Sequence, residues 1–236
     1  MRKLIVANYK MNGDEKFYSL VTKKLNKLAL KDARFVLCPP FVYLSKFKKH
    51  IKSGELGIQN ISAFDFGAHT GEISHQMLKE FGVRYVIIGH SEVRSSGETD
   101  ELIAKKVKIA CGHDMIPIIC VGEDKNSGLE LIKSQVEKAI QYIDNSSKII
   151  FAYEPIWAIG TKVTPTSEEI KTVVDNIKLT LEKLGFKDVP VLYGGSVNKD
   201  TYKHCLNSGC DGLLVGGASL NLDEFIEILK GVDNYE

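Results

Sequence analysis

Ile149-Ile150-Phe151-Ala152-Tyr153-Glu154-Pro155-Ile156-Trp157-Ala158-Ile159-Gly160-Thr161 is an apolar run that ends in one carboxylate. Ile149 to Ala152 reads as a buried strand. Pro155 stops that strand and biases Glu154 towards extended backbone. The only tryptophan of the chain follows, and then a small-residue tip ending at Gly160, where the backbone is able to approach a ligand closely. Taken alone, the stretch is as much a capped turn between strand and helix as an acid beside a closing loop. What stands at comparable positions elsewhere in the chain decides between the two.

Working outward, the same unit recurs in both directions. Downstream, Thr166-Ser167-Glu168-Glu169 has the form of a capping box, which starts a helix running to about Leu184 and ended by Gly185. Val191 to Tyr193 is a strand, followed by a helix near Lys199 to Leu206. Gly212 to Val215 is the last strand, and a helix over Leu222 to Leu229 closes the chain. Upstream, strands are expected at Ile116–Val121, Tyr85–Gly89, Leu56–Asn60, Phe35–Cys38 and Leu4–Ala7. The helices that follow them lie near Leu129–Ile143, Asp100–Cys111, Ile73–Phe81, Val42–Ile51 and Glu15–Ala29. In the first of these helices Phe17, Leu20, Val21, Leu25 and Leu28 fall at helical spacing.

Eight strands, each followed by a helix, at roughly 30-residue intervals are the pattern of an α/β chain folded as a (β/α)8 barrel with eight parallel strands. The strands are unbroken apolar runs, as a parallel sheet buried on both faces requires. A doubly wound open sheet usually carries Gly-x-Gly-x-x-Gly after its first strand, whereas Asn8-Tyr9-Lys10 stands there. No linker or low-complexity stretch interrupts residues 1–236, so a single barrel domain is expected.

Composition narrows the function classes. Lys+Arg number 31 and Asp+Glu 30 among 236 residues, so no global field invites nucleic acid or an anionic membrane. No apolar run approaches the roughly 18 residues of a membrane span, and the start is too short in apolar residues for a signal peptide. Cys38, Cys111, Cys120, Cys205 and Cys210 lack a Cys-x-x-Cys pair, which points to free thiols in a reducing cytoplasm and away from zinc.

Catalytic groups of such a barrel gather at the C-terminal ends of its strands. Asn8 and Lys10 follow the first strand and, two apart in extended backbone, point to one side. Gly89-His90-Ser91-Glu92 follows the fourth, Cys120 and Glu123 stand after the fifth, and Glu154 follows the sixth. The seventh and eighth end in Gly194-Gly195-Ser196 and Gly216-Gly217-Ala218, a pair of glycine loops at the positions where barrels hold phosphate. Backbone N–H groups there bind a dianion without a basic patch. One Lys, one His and one Glu around a phosphate cradle, with no cluster of metal ligands visible, fit proton transfer next to a carbonyl.

Asn8-Tyr9-Lys10-Met11-Asn12-Gly13, Ile88-Gly89-His90-Ser91-Glu92, the stretch around Glu154, Tyr193-Gly194-Gly195-Ser196-Val197 and Gly216-Gly217-Ala218-Ser219-Leu220 together resemble the triosephosphate isomerase family, in order and over essentially the whole chain. The resemblance implies interconversion of dihydroxyacetone phosphate and D-glyceraldehyde 3-phosphate, without cofactor or metal. It implies Glu154 as the base and a neutral His90 as the electrophile. Lys10 and Asn8 bind substrate and stabilise the enediolate. By the same resemblance Gly160, Ser196, Gly216 and Gly217 would hold the phosphate, and Glu92, Cys120, Ile159, Leu214 and Tyr193 would support the site. Ile159 and Leu214 would desolvate the carboxylate and raise its basicity. A lid runs over Pro155, Ile156, Trp157, Ala158, Ile159, Gly160, Thr161, Lys162, Val163, Thr164 and Pro165. A homodimer is implied too, the loop over Phe64 to Glu72 entering the partner with Thr70 near the partner's first strand end.

The chain departs from the family at Tyr9, usually tryptophan, at Val93, usually arginine, and at His69, usually an aromatic. Lys162 and Val163-Thr164-Pro165 make an unusual far hinge, which bears on loop opening because Pro165 restricts the residue before it. The alternatives are another phosphate-binding barrel isomerase or aldolase, and a barrel without catalysis that serves as a binding protein. The latter would have lost Lys10, His90 or Glu154.

Overall fold

A computed structural model of the chain describes residues 2–125, 127–159 and 164–235. Eight strands run in the order β1 (Lys3–Asn8), β2 (Ala33–Cys38), β3 (Glu55–Ile58), β4 (Tyr85–Ile88), β5 (Ile116–Val121), β6 (Ile150–Tyr153), β7 (Val191–Tyr193) and β8 (Gly212–Val215). Each pairs in parallel with the next, and β8 returns to β1 through Val6↔Leu214 and Ala7↔Val215, which closes the barrel. The connecting helices are α1 (Glu15–Leu25), α2 (Leu44–His50), α3 (His75–Glu80), α4 (Ser91–Ser95), α5 (Asp100–Gly112), α6 (Gly128–Ala139), α7 (Ser167–Lys183), α8 (Tyr202–Leu206) and α9 (Leu222–Asp233).

Strand alternation sorts the apolar residues into two cores. Leu4, Val6, Val36, Cys38, Tyr85, Ile87, Ile118, Cys120, Ile150, Ala152, Leu192 and Leu214 fill the barrel interior. Their neighbours one residue along, such as Ile5, Phe35, Val86, Ile119, Phe151 and Leu213, pack outward under the helices. Burying each such side chain is worth about 1.5–3 kcal/mol, and a one-residue slip in any strand would exchange barrel interior for outer core at several positions at once.

Three helices end elsewhere than their periodicity suggests, among them α6, which stops at Ala139 rather than near Ile143. α1 stops at Leu25 rather than near Ala29, because Asn26 leaves the helix to serve the neighbouring loop. Its amide donates to the His50 carbonyl at 2.6 Å, and its oxygen accepts from the Lys52 N–H at 2.7 Å. α9 continues past Leu229 to Asp233, whose Oδ1 accepts the N–H groups of Lys31, Asp32 and Ala33 at 2.7–2.8 Å. The capping box of α7 forms as expected, Thr166 taking the Glu169 N–H and Glu169 returning to the Thr166 N–H.

Candidate active site

Alternation also aims residues above the strands. Leu4 and Val6 face the interior, so Asn8 at the top of β1 faces the mouth, and Ile150 and Ala152 give Glu154 the same direction. Gly122 makes room for that acid: a Cβ there would lie 1.9 Å from the Glu154 carbonyl oxygen. The Glu154 N–H continues the ladder to the Val121 carbonyl at 2.8 Å. His90 is different. Continuing β4 would send it outward with Val86 and Ile88, but Gly89 takes a left-handed turn (φ 71) that brings the imidazole to the mouth.

Lys10 also departs from simple extension. The sequence places it beside Asn8 on an extended backbone, whereas it adopts φ 51. Two neighbours hold this turn: Asn8 Oδ1 accepts the Lys10 N–H at 3.1 Å, and Gln59 donates to the carbonyls of Lys10 and Cys38, both at 2.9 Å. The ammonium still reaches the mouth, pairing with Glu92 Oε1 at 2.6 Å. Gly216 leaves a path for its stem, since a Cβ there would come 3.3 Å from Lys10 Cε.

These groups meet in one cleft of about 550 Å³, lined by Asn8, Lys10, His90 and Glu154 together with Ser196, Gly216 and Gly217, and by Ile159, Thr164, Gly194 and Leu214. His90 Nδ1 accepts the Glu92 N–H at 3.2 Å, so in the neutral ring the proton sits on Nε2. Nε2 lies 3.0 Å from Glu154 Oε1, and that oxygen accepts no hydrogen bond among the described residues. The other oxygen, Oε2, accepts the Ser91 N–H at 2.8 Å.

Burial controls the charges. Glu154 is 2% exposed; desolvation raises its pKa to about 7 against the pull of Ser91, Lys10 and Arg94. Burial and then the Lys10 charge lower His90 to about 4, opposed by Glu92. The ring is therefore neutral at pH 7. The Cys120 thiol is pushed well above its ordinary value by burial and then by the Glu154 carboxylate.

Two supports, Arg94 and Gln135, are absent from the motif reading, whereas Glu123 and Tyr193 stand where the sequence places them. Arg94 ties the ends of β4 and β5, donating to the Gly89 carbonyl at 2.8 Å and the Cys120 carbonyl at 3.1 Å while paired with Asp100 at 2.6 Å. Gln135 closes a two-way bond with the backbone of Gly122 at 2.9 and 3.1 Å. Glu123 accepts from the Tyr153 hydroxyl at 2.9 Å and Trp157 Nε1 at 3.4 Å. That anchors the segment after Pro155, where Ile156–Ala158 forms one 3-10 turn. Tyr193 is fully buried against Gly195, where a Cβ would lie 2.2 Å from the hydroxyl.

Ser196 Oγ donates to the Ala158 carbonyl at 2.9 Å and so joins the loop after β7 to that after β6. At the far end of the same loop, Pro165 is buried and its carbonyl lies 2.8 Å from His204 Nε2. Gly160, Thr161, Lys162 and Val163 lie outside the described residues. Thr70 is exposed in the loop after β3, apart from the cleft residues.

A neutral imidazole N–H beside a carboxylate with one unpartnered oxygen, both desolvated and facing an ammonium, can move protons on a small polar molecule and stabilise an oxyanion formed there. A family model described as triosephosphate isomerase matches residues 3–232. The chain is 42% identical to the triosephosphate isomerase of Borreliella burgdorferi, over 98% of this chain and 100% of that protein. It is equally close to that of Alkaliphilus oremlandii, at 42% identity over 98% and 100%. To that of Mesomycoplasma hyopneumoniae it is 42% identical over 97% and 99%. Barrel, cleft and full-length likeness agree: the chain belongs to the triosephosphate isomerase family.

Proposed function

We propose that the protein interconverts dihydroxyacetone phosphate and D-glyceraldehyde 3-phosphate, the step that links the two trioses of glycolysis and gluconeogenesis. One observation carries the assignment. A buried carboxylate with a pKa of about 7, one of its oxygens without a hydrogen bond among the described residues, stands 3.0 Å from an imidazole Nε2 in the same cleft as Lys10 and two glycine loops.

In this reading Glu154 Oε1 removes a proton from the carbon next to the carbonyl and returns it to the neighbouring carbon. His90 Nε2–H donates to the carbonyl oxygen as negative charge builds, and Lys10 with Asn8 stabilises the enediolate. The phosphate is held across the cleft by Ser196 and the backbone of Gly216 and Gly217, with Gly160 from the lid. The unpartnered Oε1 supports the role of Glu154, and the Nδ1 acceptor bond supports neutral His90. No step calls for a metal or cofactor. A phosphate-binding aldolase or a barrel without catalysis is disfavoured, because Lys10, His90 and Glu154 all line one cleft.

We further assign it as a homodimer through the loop over residues 64–72. Phe66 in that loop is 80% exposed and Met11, just after β1, is 95% exposed. Large apolar side chains so open to water favour a partner surface, and Thr70 would approach the partner's first strand end. Five free cysteines suit the cytoplasm, and no helix among the described residues is long and apolar enough to cross a membrane.

The test is turnover of D-glyceraldehyde 3-phosphate in a coupled assay by wild type and Glu154→Asp. Wild type should turn over, and the shorter acid should lose roughly 100-fold or more in kcat, because it withdraws the base by about one bond. An inert wild type would refute the activity; an unimpaired variant would refute the base.

A further inference from the structure

Outside the cleft, two histidines and an aspartate converge from three separate segments. Asp65 lies in the loop after β3, His75 opens α3 and His113 follows the last turn of α5. Asp65 Oδ1 is 2.8 Å from His113 Nε2 and 3.6 Å from His75 Nδ1. One ligand atom from each residue lies within 4.8 Å of the other two. The imidazole rings stack face to face, 3.4 Å between centroids and 4° from parallel.

We propose that Asp65, His75 and His113 bind a divalent transition-metal ion, with Zn2+ the leading candidate. Two imidazole nitrogens and one carboxylate oxygen suit zinc, cobalt or nickel far better than calcium or magnesium, which take oxygen ligands. Tetrahedral zinc with bonds of about 2.0–2.1 Å sets its ligand atoms roughly 3.3 Å apart, and the two separations from Asp65 bracket that value. The parallel rings must turn for their lone pairs to meet on one ion. The torsion that turns an imidazole is broad and soft, and Asp65, exposed on its loop, moves with them.

Among the described residues His75 Nδ1 is buried without a hydrogen-bond partner, and a buried polar atom in that state is costly; a metal bond satisfies it. Asp65 and His113 are partly exposed, with side-chain accessibilities of 51% and 37%. The ion thus has an entry path and room for a water as fourth ligand. None of the three residues lines the cleft, so bound metal acts as a clamp between the loop after β3, α3 and α5. The expectation of a metal-free reaction is untouched.

The experiment titrates chelator-stripped full-length protein with ZnCl2, MgCl2 as control, and follows stoichiometry and thermal unfolding. One Zn2+ per chain should bind and raise the unfolding temperature, while magnesium does neither. His113→Asn, at a partly exposed helix end, and His75→Asn should each weaken zinc binding at least about tenfold. Glu154→Gln should retain it, which separates this site from the cleft. CoCl2 should give visible absorption bands of nitrogen-bound cobalt in wild type and lose them in His113→Asn, whose turnover should match wild type. Failure of wild type to bind zinc stoichiometrically, or undiminished binding in both histidine variants, would overturn the proposal.

Discussion

Glu154 Oε1 stands 3.0 Å from His90 Nε2, and the Glu92 N–H on the far side of the ring fixes which nitrogen carries the proton. The two groups are pushed in opposite directions by the same desolvation. The acid is raised to about 7 and the imidazole lowered to about 4, so near neutrality one accepts a proton and the other offers one without either carrying excess positive charge.

The rate profile follows from those values. Corrected for ionisation of the substrate phosphate near pH 6, kcat/KM should fall about tenfold per pH unit below about 7, as Glu154 takes up a proton and ceases to be a base. His90 should add no limb until about pH 4. A corrected profile that stays flat down to pH 5 would contradict the assignment of the base.

Stability carries the same sign from the other side. Glu154 is more basic folded than unfolded, so its contribution is favourable below the unfolded value near 4.3 and is lost as pH rises to about 7. Glu154→Gln should therefore unfold at higher denaturant than wild type at pH 8, by about 3 kcal/mol as an order of magnitude, with the gap closing towards pH 5. His90 works oppositely, losing stability as pH falls from about 6.5 to about 4. In wild type the two thus offset each other over that window, and the difference shows clearly only in the variant. Equal stability of the two proteins at pH 8 would mean that the carboxylate is better solvated than its burial indicates.

Gly122→Ala should act on Glu154 without touching substrate. The new methyl would press on the Glu154 carbonyl oxygen from 1.9 Å, displacing the end of β6. We expect kcat to fall on the order of 10²-fold, the cost of about 1 Å of misplacement, with circular dichroism unchanged. Wild-type kcat would show that the strand end relaxes elsewhere.

Gly217 offers a cleaner test of phosphate binding than its neighbour. A Cβ at 217 meets nothing within 4 Å, whereas one at 216 approaches Lys10. Gly217→Ala should be mild, while Gly217→Asp should weaken a phosphate-bearing inhibitor by about 100-fold or more, because like charges at about 4 Å repel by several kcal/mol. Ser196→Ala should weaken it too, though less. Equal affinity of the Ala and Asp variants at 217 would place the phosphate elsewhere.

The barrel and most of the mouth were legible in the sequence because both follow local rules. Strand runs are short and apolar, and Glu154 and Asn8 stand where alternation aims them inward. Lys10 was found for an incomplete reason: its backbone leaves extended geometry, and only the long-range grip of Gln59 shows why it stays at the mouth. Gln59, Arg94 and Gln135 bind carbonyls of other strands, contacts that no spacing encodes. Asp65, His75 and His113 are scattered over the chain in no ligand motif, and folding alone brings them together.

Gly89 has a consequence for how this mouth is composed. Regular pleating offers only every second residue to the mouth, so each strand carries one reading frame for structure and another for reactivity. The left-handed turn at Gly89 shifts that frame by one, and His90 enters the mouth although Ile88, two residues before it, belongs to the outer core. A side chain at 89 would oppose that turn and also meet Ile103 at 2.9 Å. The imidazole would then return towards the helices while the barrel kept its eight strands. Reactivity here hangs on one frame shift that the architecture itself does not require.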